Sequence, residues 1–158
     1  MAIGTDDAVD KFGTQDVVSA GGGTSAVLDA AYSVTADAAA WTNDDDAEFA
    51  SFVLKFQYPS GTIVADGIHL FARLMNIDGT NDEPVPDANF EEHQLGSFIP
   101  DTGLAALTDT YISLGYDVEL PNMYSSQVYE FYLKNDSGVT LTAGWTLKIT
   151  PKAKGPAA

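Results

Sequence analysis

The stretch Phe52-Val53-Leu54-Lys55-Phe56-Gln57-Tyr58 decides how the chain is read. Phe52, Leu54, Phe56 and Tyr58 take one parity; Val53, Lys55 and Gln57 take the other. Successive side chains of a strand point to opposite faces, so this spacing aims one apolar face at a core. The same period of two recurs on both sides. Upstream, Leu28, Ala30, Tyr32 and Val34 share a parity. Downstream, Ile68, Leu70, Ala72 and Leu74 alternate with His69, Phe71, Arg73 and Met75. Ile112, Leu114, Tyr116, Val118 and Leu120 form a further set; Tyr129, Phe131 and Leu133 oppose Glu130 and Lys134. Leu141, Ala143, Trp145, Leu147 and Ile149 alternate with Thr142, Thr146, Lys148 and Thr150. One face in and one face wet is the antiparallel pattern.

Turn chemistry separates the runs at Pro59-Ser60-Gly61, at residues 78–82 and at Asn135-Asp136-Ser137-Gly138. The last contains a glycosylation sequon, read here as a turn. Residues 76–89 hold Pro84 and Pro86 and no periodicity, so they read as a long acidic loop. The Ala-rich residues 36–40 are too short for an independent helix. The expectation is an all-β chain: an antiparallel β-sandwich of about seven or eight strands, jelly-roll-like, with an extended N-terminal arm. The expected core is Leu28, Phe52, Leu54, Phe56, Leu70, Leu114, Tyr116, Phe131, Trp145 and Leu147. The expected division is an arm over 1–24, a sandwich over 25–151 and a basic tail over 152–158, whose prolines are not expected to continue a central strand.

The 158 residues fit one domain, and 45% hydrophobic residues is a globular composition. Seven Lys and Arg face 23 Asp and Glu, a formal net charge of −16. Such a chain repels phosphate backbones and anionic membrane surfaces, so neither nucleic acid nor membrane is an expected partner. The charge is uneven: from Phe131 onward, Lys134, Lys148, Lys152 and Lys154 face only Asp136. There are no cysteines, hence no disulfide, thiolate metal site or cysteine nucleophile. The first residues lack a basic and apolar leader pattern, and no apolar run reaches bilayer length, so a soluble protein made in the cytoplasm is expected.

Candidate sites are few. Asn43-Asp44-Asp45-Asp46-Ala47-Glu48 is the densest acidic cluster; Asp78, Asn81, Asp82, Glu83 and Asp87 form a second. Both offer the oxygens that Ca2+ takes, without the spacing of an EF-hand, and both read first as solvated, turn-forming loops. His69 and His93 are the only histidines, and nothing in their spacing supports a zinc site. No serine lies in a nucleophile elbow and no glycine loop cradles phosphate, so no enzymatic activity and no cofactor are expected. Trp41, Tyr111, Tyr124 and Tyr129 are candidate sugar-stacking aromatics, or else core-edge and subunit-contact residues.

The segment before Gly21-Gly22-Gly23 is polar, and the three glycines read as a flexible joint. Its large apolar residues, Ile3, Val9, Phe12, Val17 and Val18, are too few for a core and too many for a tail that stays in water. They are the candidate intermolecular contacts, with Val17 and Val18 adding to an exposed strand edge. The alternative is that the arm folds back onto its own sheet as the first strand.

The order of segments resembles small structural proteins of tailed bacteriophages. The resemblance rests on Ala2-Ile3-Gly4-Thr5-Asp6-Asp7 with Lys11-Phe12-Gly13-Thr14-Gln15-Asp16, and on Trp41-Thr42-Asn43-Asp44-Asp45-Asp46-Ala47. It continues through Leu74-Met75-Asn76-Ile77-Asp78-Gly79-Thr80-Asn81-Asp82, Pro84-Val85-Pro86-Asp87-Ala88-Asn89, Leu95-Gly96-Ser97-Phe98 and Leu120-Pro121-Asn122. Tyr129-Glu130-Phe131-Tyr132, Ala143-Gly144-Trp145 and Ile149-Thr150-Pro151-Lys152-Ala153 complete it. What it implies is a capsid decoration (cement) protein on the outer surface of the virion head. Such a protein would bind the major capsid protein lattice and itself as a homotrimer or homodimer. The resemblance carries no catalytic residues. The alternative function is a carbohydrate-binding β-sandwich module, with Ca2+ in the acidic loops.

Overall fold

The structure, a computed structural model, describes residues 8–44, 46–64, 66–121 and 125–156. Its strands are β1 (Ala8–Phe12), β2 (Asp16–Val17), β3 (Ala31–Tyr32), β4 (Trp41–Thr42), β5 (Phe49–Phe56), β6 (Ile68–Met75), β7 (Gln94–Phe98), β8 (Thr110–Ser113), β9 (Val118–Glu119), β10 (Val128–Asn135) and β11 (Thr146–Pro156). One sheet runs β1-β11-β5-β8, with β2 also on β11 and β9 also on β5. The other runs β3-β10-β6-β7, with β4 also on β10. Every pairing among the described residues is antiparallel.

Three of the edges are single strands broken in the middle. β1 and β2 pair with successive stretches of β11, β3 and β4 with opposite ends of β10, and β8 and β9 with opposite ends of β5. Counted that way, the described residues form eight strands in the orders 1-8-3-6 and 2-7-4-5. That is the arrangement of a jelly roll, a two-sheet fold built from two Greek keys. Among the described residues, no helix is long and apolar enough to cross a membrane.

The core lies between the sheets. Ala50, Phe52, Leu54 and Phe56 of β5 and Leu147 and Ile149 of β11 face Leu70, Ala72 and Leu74 of β6 and Tyr129, Phe131 and Leu133 of β10. Phe52 and Phe131 meet across the gap edge to face, ring centroids 5.1 Å apart. Trp145 closes one end, its Nε1 donating to the Ser25 carbonyl at 3.0 Å. Truncating Phe52 or Trp145 removes a buried aromatic, a class of change that costs about 3–5 kcal/mol.

Two of the expected core residues face water. Leu28 is 60% exposed and Tyr116 56%. Leu28 precedes a tight turn, where Ala31 N donates to the Leu28 carbonyl and Ala30 takes φ 57°, so only Ala31 and Tyr32 extend. Tyr116 follows Gly115, whose φ of 80° breaks the alternation between β8 and β9. Phe71 and Tyr132 are buried although they sit on outward parities.

At the chain ends, the described N-terminal residues follow the second of their two readings, and the C-terminal residues extend further as strand than expected. Residues 8–12 and 16–17 lie on the molecule's own sheet as its edge strand. The glycine triplet is packed rather than loose. Gly21, Gly22 and Gly23 take φ of 58°, 72° and 63°, and Gly23 lies against the Trp145 indole. Thr24 Oγ1 donates to the buried Asp37 carboxylate at 2.6 Å, tying the turn down. β11 continues through Pro151 to Pro156. Pro151 still pairs with Ala50 of β5, its carbonyl accepting from Gly13 N at 2.9 Å in the break between β1 and β2; past the Lys152–Phe49 pair β11 pairs only with β1, so Pro156 interrupts no central ladder.

Candidate functional site

The outer faces of the two sheets are different. On β10 and β6, the acidic segment after Met75 folds back over the sheet, where its Glu83 and Glu91 meet the outward Arg73 and Lys134; Phe71 and Tyr132 are buried on the same face, Phe71 against the Tyr32 ring. The segment's anchor is Arg73, whose Nε donates to the Glu83 carbonyl at 2.6 Å and whose guanidinium bonds Glu130 at 2.8 Å. Tyr132 donates its hydroxyl to the same Glu130 carboxylate at 2.8 Å. Burial and that carboxylate push the Tyr132 phenol up to about 12. Further along, Tyr32 and Lys134 both bond Glu91, and Lys134 lies 3.4 Å from Asp136. Burial and the Glu91 bond push the Tyr32 phenol up to about 12, and the Glu91 bond holds the Lys134 ammonium above its ordinary value.

The two histidines belong to this covered face, each with its own carboxylate. His69 Nε2 lies 3.3 Å from Asp136 and its Nδ1 lies 2.7 Å from Ser97 Oγ. His93 Nε2 lies 3.0 Å from Glu83 Oε1. Glu83, Glu92 and His93 place one ligand atom each within 4.8 Å of one another. The chain offers no spacing signal for this meeting. It depends on the loop after Met75 doubling back so that Glu83 N donates to the Leu74 carbonyl at 3.0 Å.

The acidic clusters are occupied by their own turns. Asp78 accepts from Thr80 N, Asn81 N and Asn81 Nδ2, and these bonds, the Asn81 amide foremost, hold its carboxyl well below the ordinary carboxylate range. Asp87 accepts from Asn89 N and Phe90 N. In the other cluster, Asn43 brackets Ala47 with bonds of 2.8 and 2.9 Å. Asp46 accepts from Ser126 N and Ser125 Oγ, which lowers its pKa. Asp45 lies outside the described residues.

The candidate sugar platform does not assemble. Trp41 is 9% exposed, its ring tilted against Tyr129 and Phe131 with its Nε1 donating to Asp16, and Tyr129 is fully buried. Tyr111 is the one exposed member among the described residues, and Tyr124 lies outside them. The sequon is a turn: Asn135 is buried, its Nδ2 donating to the Val27 and Val139 carbonyls, which leaves no amide for a glycan.

The outer face of the β1-β2-β11-β5-β8 sheet carries no covering segment among the described residues. Across it run Val17, Lys148, Val53 and Ser113 in register, then Lys55 beside Tyr111. Lys152 bonds Asp117 and lies 5.1 Å over the Phe12 ring. Of the candidate contact residues, Phe12 and Val17 are exposed here; Val9 sits in β1 opposite Gly155. Val18 is a correction: it is buried in its own core, its N–H donating to the Leu147 carbonyl at 2.9 Å. Ile3 lies outside the described residues. Comparison with family models, curated proteins and solved structures finds no match for this chain.

Proposed function

We propose that this chain is a structural subunit that docks through one sheet face onto a repeating protein surface: a capsid decoration protein on the head of a tailed phage. The observation that carries the reading is the difference between the two outer faces. One is covered by the chain's own acidic loop. The other is open, and it gathers Lys55, Lys148 and Lys152 out of the seven basic residues of a chain with net charge −16. Valine, serine and threonine surround these lysines, and Phe12, Val17 and Tyr111 stand exposed beside them. A face of short polar and apolar side chains suits contact with another protein, and Lys148, standing between Lys55 and Lys152 that are paired with Asp109 and Asp117, suits an acidic one. The jelly roll agrees, since capsid domains use it, and so does the resemblance in segment order. The partner in this reading is the major capsid protein, with the subunit itself a closed homotrimer or homodimer.

Lys148 makes no ion pair among the described residues, so Lys148→Glu tests the face without breaking a bond within the subunit. Virions assembled from the encoding genome should contain the chain at high copy number. The Lys148→Glu protein, melting as wild type does, should bind bare heads about tenfold more weakly, the effect of about 1.4 kcal/mol. Particles without the chain, or undiminished binding by the variant, refute the reading.

A further inference from the structure

We propose that Glu83, Glu92 and His93 form a site for a divalent transition-metal ion of the zinc type, which would pin the covering loop to the sheet. The three ligand atoms already converge, all within 4.8 Å of one another, with Glu83 Oε1 and His93 Nε2 3.0 Å apart. Around a tetrahedral ion with bonds of about 2.0–2.1 Å the ligand atoms stand roughly 3.3 Å apart, so a small closing movement of the exposed Glu92 completes the triad. One imidazole with two carboxylates suits zinc, cobalt or nickel, whereas an all-oxygen set would suit calcium or magnesium.

Two of the ligands hang from one rigid strand. Glu83 Oε2 accepts from Leu74 N at 2.9 Å, which leaves Oε1 for His93, and the Glu83 carbonyl is held by Arg73. The His93 carbonyl accepts from Ala72 N at 3.0 Å, two residues away on β6. Ligands supported by bonds of this kind hold their geometry before the ion arrives.

The local charge supplies an independent reason for a cation. The Arg73 guanidinium is engaged by Glu130 and Asp82. Among the described residues, the only basic side chain that bridges the Glu83 carboxylate, itself mostly buried, is His93, and no basic side chain bridges Glu92. Apart from the His93 imidazole, two carboxylates converge there with no basic side chain between them among the described residues. A divalent ion would balance both charges, and the exposed side at Glu92 would give it a route in and an open position for water.

The test is a titration of the full chain with ZnCl2, read by calorimetry and thermal melting, with CoCl2 as a spectroscopic probe. Zinc in hundredfold excess over its Kd should raise Tm by about 5–10 °C, and cobalt should show visible d–d absorption of an imidazole–carboxylate site. Glu92→Gln and His93→Gln should each weaken zinc binding at least about tenfold, while His69→Gln should not. Glu92 is exposed, so its variant keeps the fold and isolates the ligand role. Absence of zinc binding to the folded wild type overturns the proposal. So does equal affinity in Glu92→Gln and His93→Gln, or calcium binding as tightly as zinc; either would mean general attraction to an acidic surface.

Discussion

Gly23 shows how much depends on a single position. Its φ of 63° lies where a Cβ is disfavoured, and an added Cβ would stand 2.6 Å from the Trp145 ring and from the Trp145 carbonyl oxygen. The Gly23 carbonyl also accepts from Gly144 N at 2.7 Å, so the backbone cannot drift away without losing a bond. Gly23→Ala should therefore destabilise the protein by at least about 2 kcal/mol, combining left-handed strain with displacement of a core indole. Urea unfolding measures this. Gly79→Ala is the control for strain alone, since Gly79 has φ 90° and nothing within 4 Å of an added Cβ. Equal losses at the two sites would mean that the Trp145 contact contributes nothing.

Among the elements, the broken edge strand β1–β2 separates two kinds of N-terminal residue. Residues 8–11 pair with β11 past the end of β5, in a two-stranded ribbon that joins the sheet at the Phe12–Lys152 pair. Residues 16–19 belong to the sandwich itself. There Val17 pairs with Lys148, Val18 fills the core, and Ser19 Oγ accepts from Leu147 N at 3.2 Å. Deleting residues 1–13 should leave a cooperatively folding domain with a small loss of Tm. Deleting residues 1–20 also exposes core surface and unpairs the edge of β11, and should cost a further 2 kcal/mol or so. Melting curves of the two truncations decide the matter. If they coincide, the β2 segment and Val18 are not part of the folding unit.

Across the whole molecule, net charge governs the response to salt. A net charge of −16 on a chain of this size opposes compaction, and salt screens that repulsion. Several of the ion pairs among the described residues are partly exposed, such as Lys55–Asp109 at 3.1 Å, and pairs of that kind contribute little against it. Thermal stability at neutral pH should consequently rise as NaCl increases from low millimolar to about half molar, where the Debye length falls below 10 Å. A Tm that fell with added NaCl would show that local pairs outweigh the net repulsion. The uneven distribution matters too. The cations gathered on the open face leave the rest of the surface more acidic than the average.

The sandwich was legible in the sequence because strand alternation is local. Each apolar residue of β5, β6, β10 and β11 declares its side by parity, and a single core then follows from burying those faces. Turn residues marked the breaks, and the acidic clusters could be read as self-bonded loops from their Asp and Asn content alone. Parity failed where the chain turned between neighbours, at Leu28 and Tyr116, and on the outer face of the second sheet, where Phe71 packs against Tyr32 and Tyr132 bonds Glu130. The glycine triplet misled for a related reason: the same three residues serve a flexible joint or a tight packed turn, and only Trp145, more than a hundred residues away, selects the second. The meeting of Glu83, Glu92 and His93 and the contrast between the two outer faces were decided by tertiary structure alone. Both depend on where a long aperiodic loop comes to rest, and that is set by hydrogen bonds between segments rather than by the spacing of residues within one.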